Sequence, residues 1–93
     1  MTEPTQIRRR LVIRGQVQGV FFRDSVRERA QAAGVSGWAC NREDGTVDVV
    51  LEGRSDPVSS VIDFCRRGPS RADVRQVEVH EEEPEGLSGF ESG

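Results

Sequence analysis

A β-hairpin in the middle of the chain is the strongest local prediction that this sequence allows. The stretch "VSGWACNREDGTVDVVLEG" (35–53) contains an apolar run that ends near Cys40 and, after it, the pair Asp44-Gly45. Asp-Gly between two apolar runs is typical of a tight hairpin turn. An alternating run follows, and three of its apolar residues share one face: Val47, Val49 and Leu51. The flanking segments must therefore fold around a central hairpin.

The segment before the hairpin predicts a strand and then a helix. In "IRRRLVIR" (7–14) apolar residues and arginines alternate with the period of two that marks a half-buried strand. From Phe22 onward, apolar residues recur at the spacing of one helix face, and Gly34 follows as a helix-ending glycine. The stripe consists of Phe22, Val26, Ala30 and Ala33.

The segment after the hairpin predicts a second helix and another strand. "RSDPVSSVIDFCRRGP" (54–69) offers Ser55 or Asp56 as N-cap, Pro57 in the first turn and Gly68-Pro69 as the end. The predicted apolar face consists of Val58, Val61, Ile62 and Cys65. "ADVRQVEVHEE" (72–82) returns to strand alternation, and "PEGLSGFESG" (84–93) is expected to be a loop with one candidate anchoring residue, Phe90.

The order strand, helix, strand, strand, helix, strand predicts an α+β fold. It matches the ferredoxin-like split βαβ sandwich (βαββαβ), with two helices on one face of an antiparallel sheet of four to five strands. A chain of 93 residues is long enough for one small domain, so we expect a single domain over 1–93. Residues 1–6 and 91–93 are expected to be loose.

Composition narrows the class of protein. With 34% hydrophobic and 31% charged residues the chain is typical of a globular protein, and no apolar run is long enough to cross a membrane. A cytoplasmic monomer is the resulting expectation. A net charge of −3, with one Trp, four Phe and no Tyr, disfavours a nucleic-acid surface. The "RRR" of residues 8–10 is expected to form a solvated face, with local anion binding as the alternative.

Neither the cysteines nor the histidine predict a reactive site. Cys40 and Cys65 lie far apart without a CxxC pair, so buried free thiols are favoured and a disulfide is the alternative. No cysteine-histidine cluster predicts a metal site, and no cofactor is expected. His80 lies in the acidic stretch "VEVHEEEPE" (77–85) and is expected at the surface.

The stretch "GQVQGVFFR" (15–23) delivers an arginine into the first turn of the first predicted helix. A cation is disfavoured there, because the first turn has unpaired N–H groups and carries the positive end of the helix dipole. A bound phosphate-sized anion would explain Arg23, since loop amides and a guanidinium together bind such a group. In the alternative interpretation no anion binds: the glycine is one of the many found in loops before helices, and the Arg23 side chain extends away from the helix dipole. The loop lacks GK[ST] and GxGxxG, so a nucleotide triphosphate is not predicted.

Asn41, just before the hairpin turn, also allows two interpretations. An asparagine at this place often hydrogen-bonds to its own backbone. Its neutral amide can also hold a water molecule, because it offers a donor and an acceptor together.

Three segments resemble the acylphosphatase family: "GQVQGVFFR", "GWACNREDGTV" and "GPSRADV". The resemblance runs from about Leu11 to Phe90. It implies a ferredoxin-like fold and metal-independent hydrolysis of the carboxyl-phosphate bond of acyl phosphates, with an acyl phosphate and phosphate as small-molecule partners. It also implies that Arg23 is the catalytic arginine that binds the phosphoryl group and that Asn41 orients the attacking water. The implied phosphate cradle comprises Gln16, Val17, Gln18, Gly19 and Val20.

The sequence departs from the family in two places. Ala39 and Cys40 stand where members more often carry Val and a larger polar or basic residue. The terminal "GFESG" lacks the apolar residues that usually follow this phenylalanine, which leaves a last edge strand open.

Two other functions are weighed against an enzyme. A non-catalytic ferredoxin-like module would bind an anion or a protein partner without turnover. An RNA-binding sheet would need exposed aromatic residues on its central strands, for which only Trp38 is a candidate.

Overall fold

The computed structural model describes residues 6–92, which form five strands and two helices around one sheet. In chain order these elements are β1 (Gln6–Gln16), α1 (Phe22–Ala33), β2 (Ser36–Asn41), β3 (Val47–Arg54), α2 (Ser55–Arg67), β4 (Asp73–Glu82) and β5 (Phe90–Ser92). The strand order is β4-β1-β3-β2-β5. The pairs β1–β3, β1–β4 and β2–β3 are antiparallel, whereas β5 pairs with β2 in parallel. The predicted ferredoxin-like α+β fold is confirmed, with a mixed sheet because β5 is parallel.

Both helices bury their apolar faces in one core against the sheet. In α1 the predicted stripe is buried at Phe22, Val26 and Ala30. Gly34 ends the helix with φ 73°, and its N–H is directed to the carbonyl oxygens of Ala30 and Gln31. The periodicity of the sequence therefore placed this helix correctly, because its apolar stripe is the face that the sheet covers.

Strand β3 forms the centre of the sheet and is buried from Val47 to Gly53. Val47, Val49 and Leu51 face the helices, as the alternation predicted. The neighbouring β1 contributes Leu11 and Ile13 to the same core. The hairpin and its Asp44-Gly45 turn are thus anchored at the middle of the molecule.

Helix α2 begins one residue earlier than the sequence predicted. Its N-cap is Arg54, not Ser55 or Asp56, because β3 runs directly into the helix without a loop. Pro57 lies in the first turn as expected, where its missing N–H costs no helix hydrogen bond. Phe64 adds to the predicted apolar face and is buried.

The expectation of a solvated arginine face on β1 is wrong for Arg8, which is only 8% exposed. Its Nη1 donates to Glu52 Oε2 at 2.8 Å, and its Nε donates to Glu82 Oε1 at 2.8 Å. Glu52 in turn accepts the backbone N–H groups of the crossing segment, Glu85, Gly86 and Leu87. This segment leads the chain from β4 towards β5 at the other edge of the sheet, so it covers the ion pair.

A short edge strand does form after the loop. Phe90 begins β5 and is 7% exposed, and it pairs with Gly37 of β2. Gln6 lies in β1, while Glu91 and Ser92 lie in β5, so these three residues are part of the sheet instead of loose ends. The same expectation for residues 1–5 and 93 falls outside the described residues.

The cysteines, His80 and Trp38 differ in how far they are buried. Both cysteines are free; Cys65 is buried in α2, where burial raises the pKa of its thiol to about 12, and Cys40 is half-buried in β2. His80 is exposed on β4, as expected, and Trp38 is half-buried on β2. In the described part of the chain, neither helix has the length and apolar character needed to cross a membrane.

Candidate functional site

The loop between β1 and α1 (17–21, the β1–α1 loop) turns sharply, and its first residue is buried in the core. Val17 is fully buried in the core and anchors it, while Gln16 before it still belongs to β1 and pairs with Asp73 of β4. Gly19 and Phe21 both have left-handed backbone, with φ 74° and 59°. A backbone of this kind turns successive N–H groups toward one region, which is a usual way to receive an anion.

The first turn of α1 continues this array of N–H donors. Phe21 is the N-cap residue, and its carbonyl oxygen accepts the first helical bond, from Ser25 N–H at 3.0 Å. The Phe21 side chain gives no cap, in contrast to the serine, threonine or aspartate usual at this place. The first N–H groups of a helix have no intrahelical partner, so here they lie beside the loop without a side-chain cap.

Arg23 occupies the second position of α1, in the first turn, as the sequence predicted. It is half-buried and lines a hollow of about 230 Å³ together with Gly19, Phe21 and Asp24. Asp24 has the charge that the helix dipole favours, and its carboxylate lies 3.6 Å from Arg27 Nη2. The hollow is thus lined by Arg23 together with residues of the β1–α1 loop and of the first turn of α1.

Asn41 lies at the end of β2 and is exposed. It pairs with Val47, which in turn pairs with Ile13 of β1, so all three residues stand at one level of the sheet. Directly paired residues point to the same face, and Val47 and Ile13 belong to the core under the helices. Asn41 therefore lies on the helix face, at the end of the sheet where β1 leads into the β1–α1 loop.

The turn after Asn41 (42–46, the β2–β3 turn) is closed by its own hydrogen bonds. Arg42 N–H donates to the Thr46 carbonyl at 2.9 Å, and the Thr46 hydroxyl donates to Asp44 Oδ1 at 2.6 Å. The hydroxyl and the N–H of Thr46 lower the pKa of Asp44. The carboxylate of Asp44, and not the side chain of Asn41, therefore accepts the side-chain hydrogen bonds of the turn. Asn41 lines a separate hollow of about 480 Å³, formed by residues 40–44.

Gln18 connects the β1–α1 loop to the β2–β3 turn. Its Nε2 donates to the carbonyl oxygen of Arg42 at 2.8 Å and to that of Thr46 at 2.9 Å. The family resemblance implied that Gln18 belongs to the cradle, but the sequence gave no signal for this contact, because the partners are main-chain atoms 24 and 28 residues away. The side chain fixes the distance between the segment before Arg23 and the segment after Asn41.

The charge of Arg42 is directed to the other face of the sheet. Its Nη1 donates to Asp48 Oδ2 at 2.8 Å, and the fully buried Asp48 also accepts two bonds from Arg10. The hydrogen bonds that Arg10 donates to Asp48, and the negative charge of Asp48, raise the pKa of Arg10. The neutral amide of Asn41 therefore stands at the end of β2, just before the turn, while the guanidinium of the neighbouring Arg42 is bound on the other face of the sheet.

Potential metal ligands are not gathered in the described range. Among residues 6–92 no group of three or more His, Cys, Asp or Glu side chains is placed to hold a metal ion.

Comparison with known proteins gives one consistent result. The acylphosphatase family model matches residues 9–92. The chain is 48% identical over 84 residues to an acylphosphatase of Haloarcula marismortui, covering 90% of this chain and 92% of that one. It is 51% identical over 83 residues to an acylphosphatase of Rubrobacter xylanophilus, covering 88% and 76%.

A solved structure agrees with these sequence relatives. The crystal structure of acylphosphatase from Bacillus subtilis superimposes with a TM-score of 0.90 at 31% identity, covering 94% of this chain and 98% of that one. The family model and the relatives span almost all of the described residues, including both the β1–α1 loop and the β2–β3 turn. This chain belongs to the acylphosphatase family.

Proposed function

We propose that the protein hydrolyses the carboxyl-phosphate bond of acyl phosphates without a metal ion, to give a carboxylate and inorganic phosphate. Its relatives are acylphosphatases, which are hydrolases of acyl phosphates. The observation that carries the proposal is the meeting of two segments at one end of the sheet. The β1–α1 loop leads into Arg23, the β2–β3 turn follows Asn41, and Gln18 links them.

In this proposal the phosphoryl group is bound by the phosphate cradle, Gln16–Val20, and by Arg23. Backbone N–H groups of the loop and of the first turn of α1 donate to the phosphoryl oxygens, and the guanidinium adds charge-assisted bonds. Charge in the transition state is spread over the three equatorial oxygens, so fixed donors around them stabilise it. The anion also compensates the cost of an arginine at the positive end of the helix dipole.

Asn41 orients the attacking water in this mechanism. Its side-chain carbonyl accepts a hydrogen bond from the water and its NH₂ group donates one to the same water, which places the water in line with the breaking bond. The water oxygen bonds to phosphorus, and the bond from phosphorus to the carboxyl oxygen breaks with its electron pair on the carboxylate. Both water protons remain on the product phosphate, as H₂PO₄⁻. A carboxylic acid has a pKa near 4, so this leaving group needs no general acid.

We further propose that residues 1–93 act as one cytoplasmic domain, as a monomer, with an acyl phosphate and phosphate as small-molecule partners and no nucleic acid. Two free cysteines fit a reducing compartment. In the described residues, the arginines of the open sheet face pair with carboxylates, as Arg8 does with Glu52 and Arg10 with Asp48. Arginines that are paired with carboxylates in this way contribute little to the binding of nucleic-acid phosphates.

The test is hydrolysis of benzoyl phosphate in the presence of a chelator, by the wild-type protein and by Arg23→Ala. We expect turnover by the wild type and a fall in kcat/KM of about 10²- to 10³-fold in the variant. Arg54→Ala, at an exposed arginine at the opposite end of β3, is the matched control and should keep full activity. Full activity in a folded Arg23→Ala protein would overturn the assignment. Phosphate binding without turnover by the wild type would instead identify a binding module.

A further inference from the structure

Phe21 breaks three local preferences at once, beside the candidate phosphate site. Its side chain is 72% exposed, although its neighbour Phe22 is 1% exposed in the core. Its backbone is left-handed, with φ 59°, and it is the one residue other than glycine in the described chain with positive φ. It also holds the N-cap of α1 without capping it. Residues other than glycine that are held in left-handed backbone are strained, and such residues cluster at functional sites.

Phe21 and Asn41 border different hollows. Phe21 lines the hollow of Arg23, whereas Asn41 borders a hollow lined by the different residues 40–44. In-line attack places the leaving oxygen on the side of the phosphoryl group opposite to the water. If the water is held by Asn41, the acyl group leaves toward the hollow that Phe21 lines.

Resting on the proposed function, we infer that Phe21 forms the acyl subsite and gives the enzyme a preference for flat or bulky apolar acyl groups, such as benzoyl, over acetyl. An aromatic ring can stack against such an acyl group, and the contact removes apolar surface of both the ring and the acyl group from water. Acetyl offers a single methyl for the same contact. The phosphoryl group is held by other atoms, so the preference is confined to the acyl part.

The experiment compares benzoyl phosphate with acetyl phosphate as substrates of the wild type, Phe21→Ala and Phe21→Asn. We expect kcat/KM for benzoyl phosphate to fall about 5- to 30-fold in both variants, with acetyl phosphate changed less than about twofold. Asparagine tolerates left-handed backbone, so Phe21→Asn preserves the loop if alanine does not. Val79→Ala, at a β4 side chain that is 37% exposed, is the apolar control and should leave both substrates unchanged.

Binding of benzoylphosphonate and acetylphosphonate, measured by calorimetry, separates this inference from the proposed function. Tighter binding of benzoylphosphonate to the wild type, lost in the Phe21 variants, supports the acyl subsite even if the protein does not turn over. Hydrolysis by the wild type with equal losses for both substrates, or with no loss, overturns the subsite while the proposed function stands. A wild type that binds the two phosphonates equally overturns it as well.

Discussion

The Gln18 side chain and the main chain of Thr46 join the two segments of the site. The amide nitrogen of Gln18 lies 2.9 Å from the Thr46 carbonyl oxygen and 2.8 Å from that of Arg42. One amide thus bridges the two ends of the β2–β3 turn and fixes them against the β1–α1 loop. In the proposed mechanism, the distance between the bound phosphoryl group and the oriented water depends on this bridge, because a different segment holds each of them.

Replacing Gln18 should therefore impair chemistry more than anion binding. In Gln18→Met the side chain keeps its length but loses both donated bonds. We expect kcat to fall about 10- to 100-fold, since a displacement near 1 Å between reacting groups costs up to about 10²-fold. The inhibition constant of inorganic phosphate should change less than about threefold, because the loop N–H groups and Arg23 are retained. Steady-state kinetics with phosphate as a competitive inhibitor measure both, and Gln31→Met, at an exposed glutamine of α1, is the matched control.

A double-mutant cycle tests whether Gln18 acts through Asn41. If it does, adding Gln18→Met to Asn41→Ala lowers kcat little further, because the group that Gln18 positions is already missing. Independent, multiplying losses would contradict this role and show that Gln18 affects kcat by a route other than Asn41.

Glu52 is the most heavily bonded carboxylate of the open sheet face. It is 4% exposed, accepts Arg8 at 2.8 Å and also accepts three backbone N–H groups of the crossing segment 85–87. Glu52→Gln removes the charge that Arg8 pairs with and one of the two accepting oxygens. We expect a loss of about 2–4 kcal/mol in the free energy of unfolding, measured by urea denaturation.

Glu82→Gln is the control for that prediction. Glu82 bonds to the same arginine, but its side chain is 34% exposed, so its loss should cost about 1 kcal/mol or less. The prediction fails if the two variants are equally stable. Both folded variants should keep wild-type kcat, because this face lies opposite to the one that carries Asn41.

The same carboxylate makes stability depend on pH. Burial alone would raise the pKa of Glu52, but the hydrogen bonds from Glu85, Arg8, Leu87 and Gly86 outweigh it and hold the pKa below the ordinary 4.5. A group with a lowered folded pKa stabilises the protein above its ordinary pKa and loses this contribution as pH falls through the folded pKa. The free energy of unfolding should therefore fall below about pH 4.5, and the fall should be shallower in Glu52→Gln. Urea midpoints at a series of acid pH values measure this, and parallel curves for the two proteins would contradict it.

Local patterns were enough to predict most of the fold. The Asp44-Gly45 turn, the α1 stripe and Gly34 are decided within a few residues, so the sequence shows them directly. The burial of Arg8 could not be read this way, because its partners lie 44 and 74 residues away and the cover comes from a loop without periodicity. Likewise β5 has one buried apolar residue, Phe90, which is too little for an alternating pattern.

In the candidate site, too, the sequence indicated what depends on nearby residues and missed what depends on distant segments. The sequence marks Arg23 as a candidate because a cation in the first turn of a helix is disfavoured and a bound anion would compensate it, and the resemblance to acylphosphatases supplies the proposed roles of Arg23 and Asn41. The contacts of the Gln18 side chain were missed because they depend on how loop and turn meet. Phe21 left a weak signal, since the helical stripe uses Phe22 and leaves the adjacent phenylalanine unassigned.

Asn41 gives the sharpest separation of binding from chemistry. Its proposed role is to orient water, while the phosphoryl group is held by the cradle and Arg23. In Asn41→Ala we expect kcat to fall about 10²- to 10³-fold, with the phosphate inhibition constant within about twofold of the wild type. Arg23→Ala should instead weaken phosphate about tenfold or more, because it removes charge-assisted bonds to the anion itself. A rise in the phosphate inhibition constant of Asn41→Ala that matches its loss of kcat would make Asn41 a phosphate ligand and leave the water without an assigned holder.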